Sequence, residues 1–149
     1  MKTAHAILLV EDNPADVLIT QRALRDSGLS VELLVVRDGQ EAVDYLLRQG
    51  EHAKRDGWRS PDLILLDLNL PRLNGRQVLE RIRARAELKA VPVLVLTTSR
   101  RQEDVQELYE AGANTYIEKP QDFARFVQVL QTIQRYWLEM ALLPPPART

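Results

Sequence analysis

The sequence predicts a doubly wound α/β domain, a parallel sheet with helices on both faces, and three observations predict it. Five short apolar runs, Ala6–Val10, Val31–Val36, Leu63–Leu66, Val93–Leu96 and the weaker Thr115–Ile117, alternate with longer segments of helical period. The runs are continuously apolar rather than alternating, which suits strands buried on both faces. Four of the five end in a reactive or charged group: Glu11-Asp12, Asp67, Thr97 and Lys119.

The helices follow from local chemistry. Asn13-Pro14 offers an N-cap with proline at the first helical position, and Gly28 stands where a left-handed C-terminal residue is wanted, so the first helix spans about 14–27. Asp38 with Glu41 has the spacing of a capping box for a second helix over about 39–49, which turns Ala42, Val43, Leu46 and Leu47 inward before Gly50. A polar connection of about a dozen residues, Gly50 to Pro61, then leads to the third strand and is long for a unit of this kind. The third helix, near 75–85, presents Val78, Leu79 and Ile82; the fourth, near 101–111, presents Val105 and Leu108 before Gly112. The last begins after Gln121-Asp122, places Phe123, Phe126, Val127, Leu130, Ile133 and Trp137 at helical spacing, and continues to about Met140. The expected organisation is one domain over 5–140, a short proline-rich tail over 141–149 starting from Leu142-Leu143-Pro144-Pro145-Pro146, and no separate output domain.

Composition narrows the function classes. The 149 residues, 45% hydrophobic and 28% charged, match one ordinary globular core. A net charge of −1 lacks the basic footprint that neutralises nucleic-acid phosphates, so DNA is not expected as a partner. Without cysteine there is neither a disulfide framework nor a thiolate metal site. No apolar stretch is long enough for a membrane span or a signal-peptide core, and a cytoplasmic location is expected.

In a parallel sheet the carboxyl ends of the strands share one edge, and ligands bind there where the strand order reverses, so Glu11-Asp12, Asp67, Thr97 and Lys119 should converge on one crevice. If strand one lies between strands two and three, Asp12 and Asp67 are on neighbours about 4.8 Å apart, where two bare carboxylates repel. A cation resolves the repulsion. Hard oxygen ligands without a nearby imidazole or thiolate point to Mg²⁺, which keeps several waters and favours a phosphate oxygen as a further ligand. Such a site suits phosphoryl transfer: Asp67 as nucleophile gives an acyl phosphate, Lys119 supplies a mobile point charge for the phosphoryl oxygens, and the Thr97 hydroxyl donates to one of them. Taken singly, each residue has an ordinary explanation as a helix cap, a turn acid, a strand-end hydroxyl or a solvated lysine. Their joint placement at successive strand ends is what carries the argument.

The stretches Leu9-Val10-Glu11-Asp12-Asn13, Leu65-Leu66-Asp67-Leu68-Asn69-Leu70-Pro71 with Asn74-Gly75, Val95-Leu96-Thr97-Thr98-Ser99, and Ala111-Gly112-Ala113 leading to Glu118-Lys119-Pro120 resemble the receiver domains of two-component response regulators over about residues 5–135. The resemblance implies a flavodoxin-like (βα)₅ fold with strand order 2-1-3-4-5. It implies a phosphoryl group received from a sensor histidine kinase on Asp67, with Mg²⁺ ligated by Asp12, Asp67 and the backbone carbonyl of Asn69, and with Glu11 acting through water. It further implies a cis Lys119–Pro120 peptide, and a switch in which Thr97 moves inward on phosphorylation and Tyr116 follows, reshaping the surface of helix four, strand five and helix five. A narrower resemblance, carried by the long connection, the Arg72-Leu73-Asn74-Gly75 stretch and the extended last helix, is to the small regulators paired with bacterial phytochromes. It implies a bacteriophytochrome kinase as partner and a homodimer through helix four, strand five and helix five, where Phe126, Val129, Ile133, Tyr136 and Met140 offer a second apolar stripe extended by Leu142 and Leu143.

Two other classes use similar parts. A Mg²⁺-dependent phosphatase with an aspartyl nucleophile resembles Asp-x-Asp, whereas Asn69 stands at the second position and exchanges no proton at neutral pH. A flavin or nucleotide module needs a hydroxyl- or glycine-rich phosphate loop after strand one, and Glu11-Asp12-Asn13-Pro14-Ala15-Asp16 is acidic there. The protein is therefore expected to catalyse only its own phosphorylation and slow dephosphorylation. Arg76, Arg81, Arg83 and Arg85 are expected to form a solvated helix face, His5 and His52 are too isolated to be ligands, and Arg100 and Arg101 are expected to flank the crevice.

Overall fold

Every strand hydrogen-bonds to its neighbours in parallel, so each must return to the same edge through a helix on one face of the sheet. The structure, a computed structural model, describes residues 5–26, 30–54 and 56–145. Its strands are β1 (His5–Val10), β2 (Val31–Val36), β3 (Leu63–Leu66), β4 (Val93–Thr97) and β5 (Thr115–Glu118), in the order β2-β1-β3-β4-β5. The helices between and after them are α1 (Pro14–Arg25), α2 (Gly39–Leu46), α3 (Gly75–Arg83), α4 (Gln102–Glu110) and α5 (Phe123–Gln134). Val10 lies opposite both Val36 and Leu66, Leu66 opposite Val95, and Thr97 opposite Glu118, which brings the carboxyl ends to one edge.

Continuous hydrophobicity in the strands has a direct cause. Ile7, Leu9, Leu65 and Leu96 meet Val17 and Leu24 of α1 and Phe126 and Leu130 of α5 on one face. Leu8, Val10, Ile64, Leu66 and Val95 meet Ala42, Val78, Ile82 and Leu108 of α2, α3 and α4 on the other. Each such valine, leucine, isoleucine or phenylalanine stabilises the fold by about 1.5–3 kcal/mol relative to exposure. No helix among the described residues is long and apolar enough to cross a membrane.

The caps are largely as expected. The Asn13 side chain accepts from the N–H groups of Ala15 and Asp16, with Pro14 opening α1. Asp38 accepts from Glu41 N, but the Glu41 carboxylate returns to the N–H of Arg37 rather than to that of Asp38, so the reciprocal half of the box is displaced by one residue. α2 stops at Leu46, short of the expected 49, because Arg48 turns left-handed at φ 52°. A full capping box that the sequence reading omitted opens α3, where Asn74 and Gln77 exchange hydrogen bonds. Gly28, expected to terminate α1, lies outside the described residues, as does Pro146 of the tail.

Three expectations, on Phe123, Arg83 and the Lys119–Pro120 peptide, are corrected. Phe123 is 57% exposed: it occupies the first position of α5, and burial along that helix begins only with Phe126, since periodicity identifies a face but not where its neighbours end. Arg83 is no solvated residue. Its guanidinium donates to the carbonyls of Gly112, Lys89 and Val91 and to Asn114 Oδ1, all at 2.8–3.0 Å, pinning the end of α3 to the turns before β4 and β5. The long connection buries His52 edge-on to the Tyr45 ring at 5.2 Å between centroids, lays Trp58 against Tyr45 and joins Tyr45 Oη to the Arg59 carbonyl at 2.9 Å. The Lys119–Pro120 peptide is trans, as are all peptides among the described residues. The tertiary amide before proline leaves trans preferred by about 0.5–1 kcal/mol, and the trans bond already delivers the Lys119 ammonium to the crevice.

Helix α5 does continue to Met140, but Arg135–Met140 widens to π geometry and closes with Ala141 N donating to Tyr136 O at 2.7 Å. Leu143 then packs back on the core between sheet, α1 and α5, while Leu142 is 98% exposed.

Candidate functional site

The backbone ladder is extended by one step beyond three strands, and those steps hold the site residues. Glu11 N donates to Val36 O at 3.0 Å, Asp67 N to Val10 O at 3.1 Å, and Lys119 N to Thr97 O at 2.7 Å. Side chains at these positions leave the sheet edge from a rigid main chain. Glu11, Asp67, Thr97 and Lys119 are buried; Asp12 stands exposed at the mouth.

Glu11, Asp12 and Asp67 each bring one carboxylate oxygen within 4.8 Å of the other two. Three acidic oxygens without a nitrogen or sulfur donor suit a hard divalent cation. The site therefore fits a divalent metal ion. Asn69 is exposed in the loop two residues beyond Asp67.

Lys119 is the cationic centre. Its ammonium donates to Glu11 Oε1 at 2.5 Å and to Asp16 Oδ2 at 2.8 Å, and stands 3.6 Å from Asp67 Oδ2. Burial opposes its charge, but the bonds to Asp16 and Glu11 and the charge of Asp67 outweigh it and lift its pKa above the ordinary lysine value. Burial pushes the Glu11 carboxyl up to about 7, and the Asp67 charge adds to this, while the hydrogen bond from Lys119 pulls the other way. Asp67 Oδ1 is steered by the N–H of Leu68 at 2.7 Å, which leaves Oδ2 toward the lysine.

Thr97 is fully buried and its hydroxyl has no hydrogen-bond partner among the described residues. A buried hydroxyl left unpaired is costly and marks a place where a further acceptor is missing. Tyr116, three residues before the lysine, is half-buried; its hydroxyl donates to Ser99 O at 2.9 Å and its N–H to Tyr109 Oη at 3.1 Å. The strand-four hydroxyl and the strand-five ring are thus linked through the short segment 97–99.

Of the sequence-predicted residues, Glu11, Asp12, Asp67 and Lys119 come together at this edge, Thr97 ends the neighbouring strand β4, Asn69 lies in the loop beyond Asp67, and Tyr116 binds Ser99 O. Asp16 was missed as a site residue, having been read only as part of an acidic loop. The signal was present: an acid in the first turn of the helix that starts directly after β1 faces the crevice that β1 opens. Arg100 and Arg101 flank the site but are spent on surface acids, Arg100 on Glu118 at 3.9 Å and Arg101 on Glu103 at 3.1 Å.

Comparison with known proteins places the arrangement. Residues 7–131 match the family described as "Response regulator receiver domain". The chain is 43% identical to the response regulator Rcp1 of Synechocystis sp. over 138 residues, 93% of this chain and 92% of the relative. It superposes with a TM-score of 0.90 on the phosphorylated cyanobacterial phytochrome response regulator RcpA, at 43% identity, covering 96% of this chain and 100% of that one. The Mn²⁺-bound form of Rcp1 gives a TM-score of 0.88 at 42% identity, covering 95% and 99% respectively.

Proposed function

This chain belongs to the response regulator receiver domain family, and from that premise we propose that it receives a phosphoryl group on Asp67 from a phytochrome-type histidine kinase and passes the signal on as a change of shape. The observation that carries the proposal is the buried Asp67 carboxylate with its Oδ2 3.6 Å from a buried ammonium, beside a fully buried threonine hydroxyl that lacks an acceptor. The phytochrome pairing is supported by the likeness to RcpA and Rcp1 over nearly the whole chain.

Attack by an Asp67 oxygen on phosphorus forms a P–O bond as the P–N bond to the kinase imidazole breaks; the electron pair leaves with the nitrogen, which takes up a proton. A carboxylate nucleophile has no proton to lose, so no general base is required. Asn69, in the place where an aspartyl phosphatase keeps its second acid, is consistent with a receiver that does not turn over external esters. Asp12, Asp67 and the Asn69 carbonyl, with Glu11 through water, would hold Mg²⁺, which when bound supplies Lewis-acid neutralisation of phosphoryl charge. Lys119 keeps its charge throughout and meets a phosphoryl oxygen, and Thr97 gains the acceptor it lacks. As Thr97 is drawn in, Tyr116 gives up Ser99 O and follows, which alters the surface of α4, β5 and α5. On that surface a groove of about 710 Å³, lined by Ile117, Val129, Ile133 and Tyr136 among others, supports pairing with a second copy.

Incubation with acetyl phosphate and Mg²⁺, followed by intact-mass measurement, tests the acceptor. Wild type gains one phosphoryl group and Asp67→Asn gains none; an equal gain in the variant would refute the assignment.

A further inference from the structure

An ammonium has three donors, and that of Lys119 is already crowded: Glu11 Oε1 and Asp16 Oδ2 take two of them at hydrogen-bond distance, while Asp67 Oδ2 at 3.6 Å lies within ion-pair reach only. A phosphoryl group on Asp67 adds a charge of roughly −1.5 to −2 and strong acceptor oxygens. The third donor can turn to that group, and the pull of the added charge draws the ammonium toward Asp67 and away from its two present partners.

The surroundings decide which partner lets go. The Glu11 side chain is 4% exposed and the Asp16 side chain 20%. Glu11 holds the shorter bond, 2.5 Å against 2.8 Å, in the more deeply buried position, and is the costlier partner to lose. Asp16 reaches solvent and sits in the first turn of α1, where the positive end of the helix dipole stabilises a lone carboxylate. Its own backbone N–H is already satisfied by Asn13, so releasing the side chain does not uncap the helix.

We propose that Asp16 is a positioning residue for the phosphoryl step: it ties the Lys119 ammonium to α1 in the resting protein and surrenders it to the phosphoryl group on Asp67. The inference rests on the assignment of Asp67 as acceptor. Two consequences follow from the geometry. Asp16 competes with the phosphoryl group for the lysine and so weakens the phosphorylated state. Phosphorylation also severs a link between the segment after β5 and the start of α1, a second route for the signal besides Thr97 and Tyr116.

The test uses beryllofluoride with Mg²⁺ as the phosphoryl mimic, titrated against the full chain. Asp16→Asn keeps the shape and one acceptor oxygen but not the charge; Asp16→Ala removes both. Both variants are expected to bind beryllofluoride about five- to tenfold more tightly than wild type, the equivalent of releasing a partly buried ion pair. In a Lys119→Ala background the same substitutions are expected to change the affinity little, because nothing remains to be tethered. Without beryllofluoride or Mg²⁺, the Lys119 ammonium resonance in NMR is expected to be protected from solvent exchange in wild type and to lose protection in Asp16→Ala. Unchanged or weaker binding in the Asp16 variants, or an equal gain in the Lys119→Ala background, would overturn the tether. Asp67→Asn run alongside separates the two ideas: phosphoryl uptake by that variant sinks the acceptor assignment, whereas a silent Asp67→Asn with unaltered Asp16 variants sinks only the tie.

Discussion

At Gly75 an added Cβ would lie 2.5 Å from the Asp67 carbonyl oxygen and 2.8 Å from Leu68 Cα, both backbone atoms that cannot swing aside. The first residue of α3 is therefore packed directly under the nucleophile. Gly75→Ala is expected to displace the Asp67 loop, lowering stability by about 1–3 kcal/mol in chemical denaturation. It is also expected to slow acetyl phosphate labelling by roughly tenfold or more, since small misplacements of a reacting group are amplified in rate. Stability and labelling both at wild-type levels would show that the loop yields without cost. The same scale explains why Thr97 and Lys119 need the strand ends: a hydroxyl and an ammonium become selective for phosphoryl oxygens only when a rigid backbone removes their other options, as burial of both does here.

Between elements, Arg83 makes a polar tie away from the site. One guanidinium at the end of α3 reaches the carbonyls that precede β4 and the glycine turn that precedes β5. Gly112 adopts φ 111° there, and the Arg83 side chain passes within 2.9 Å of where a Cβ would stand, so glycine serves both the turn and the close approach. Lysine is a point charge and cannot serve that many acceptors in a plane. Arg83→Lys is expected to cost about 2 kcal/mol of unfolding free energy, while leaving phosphoryl uptake by Asp67 intact. A cost within a few tenths of a kcal/mol would mean that water replaces the lost bonds. Sequence periodicity had placed Arg83 on a solvated face, because a cation on the polar side of an amphipathic helix looks the same whether its head meets water or a ring of carbonyls.

On the scale of the whole molecule, a groove remains open between β5 and α5. The expected second stripe on α5 divides: Phe126 and Ile133 belong to this chain's own core, while Tyr136, which lines the groove along β5 and α5, and Met140 remain 51% and 68% exposed. What is left for a partner is thus smaller than the sequence suggested, and centred on Tyr136. Light scattering at micromolar concentration is expected to give the mass of a dimer for wild type, strengthened by beryllofluoride, and of a monomer for Tyr136→Arg. A monomeric wild type under both conditions would remove the pairing.

The strands could be read from the sequence almost to the residue, as at Val31–Val36 and Leu63–Leu66, because burial on both faces demands unbroken apolar runs bounded by polar ends. The convergence of Asp12, Asp67, Thr97 and Lys119 was equally legible, since parallel topology alone sends every strand's carboxyl end to one edge. What pairs with what across that edge was not: the tie from Lys119 to Asp16, the burial of His52 against Tyr45, the exposure of Phe123 and the trans bond before Pro120 depend on where separate segments come to rest. Periodicity and capping are local properties of the chain. Partner choice is decided by distances between residues far apart in sequence, and those exist only once the layers have packed.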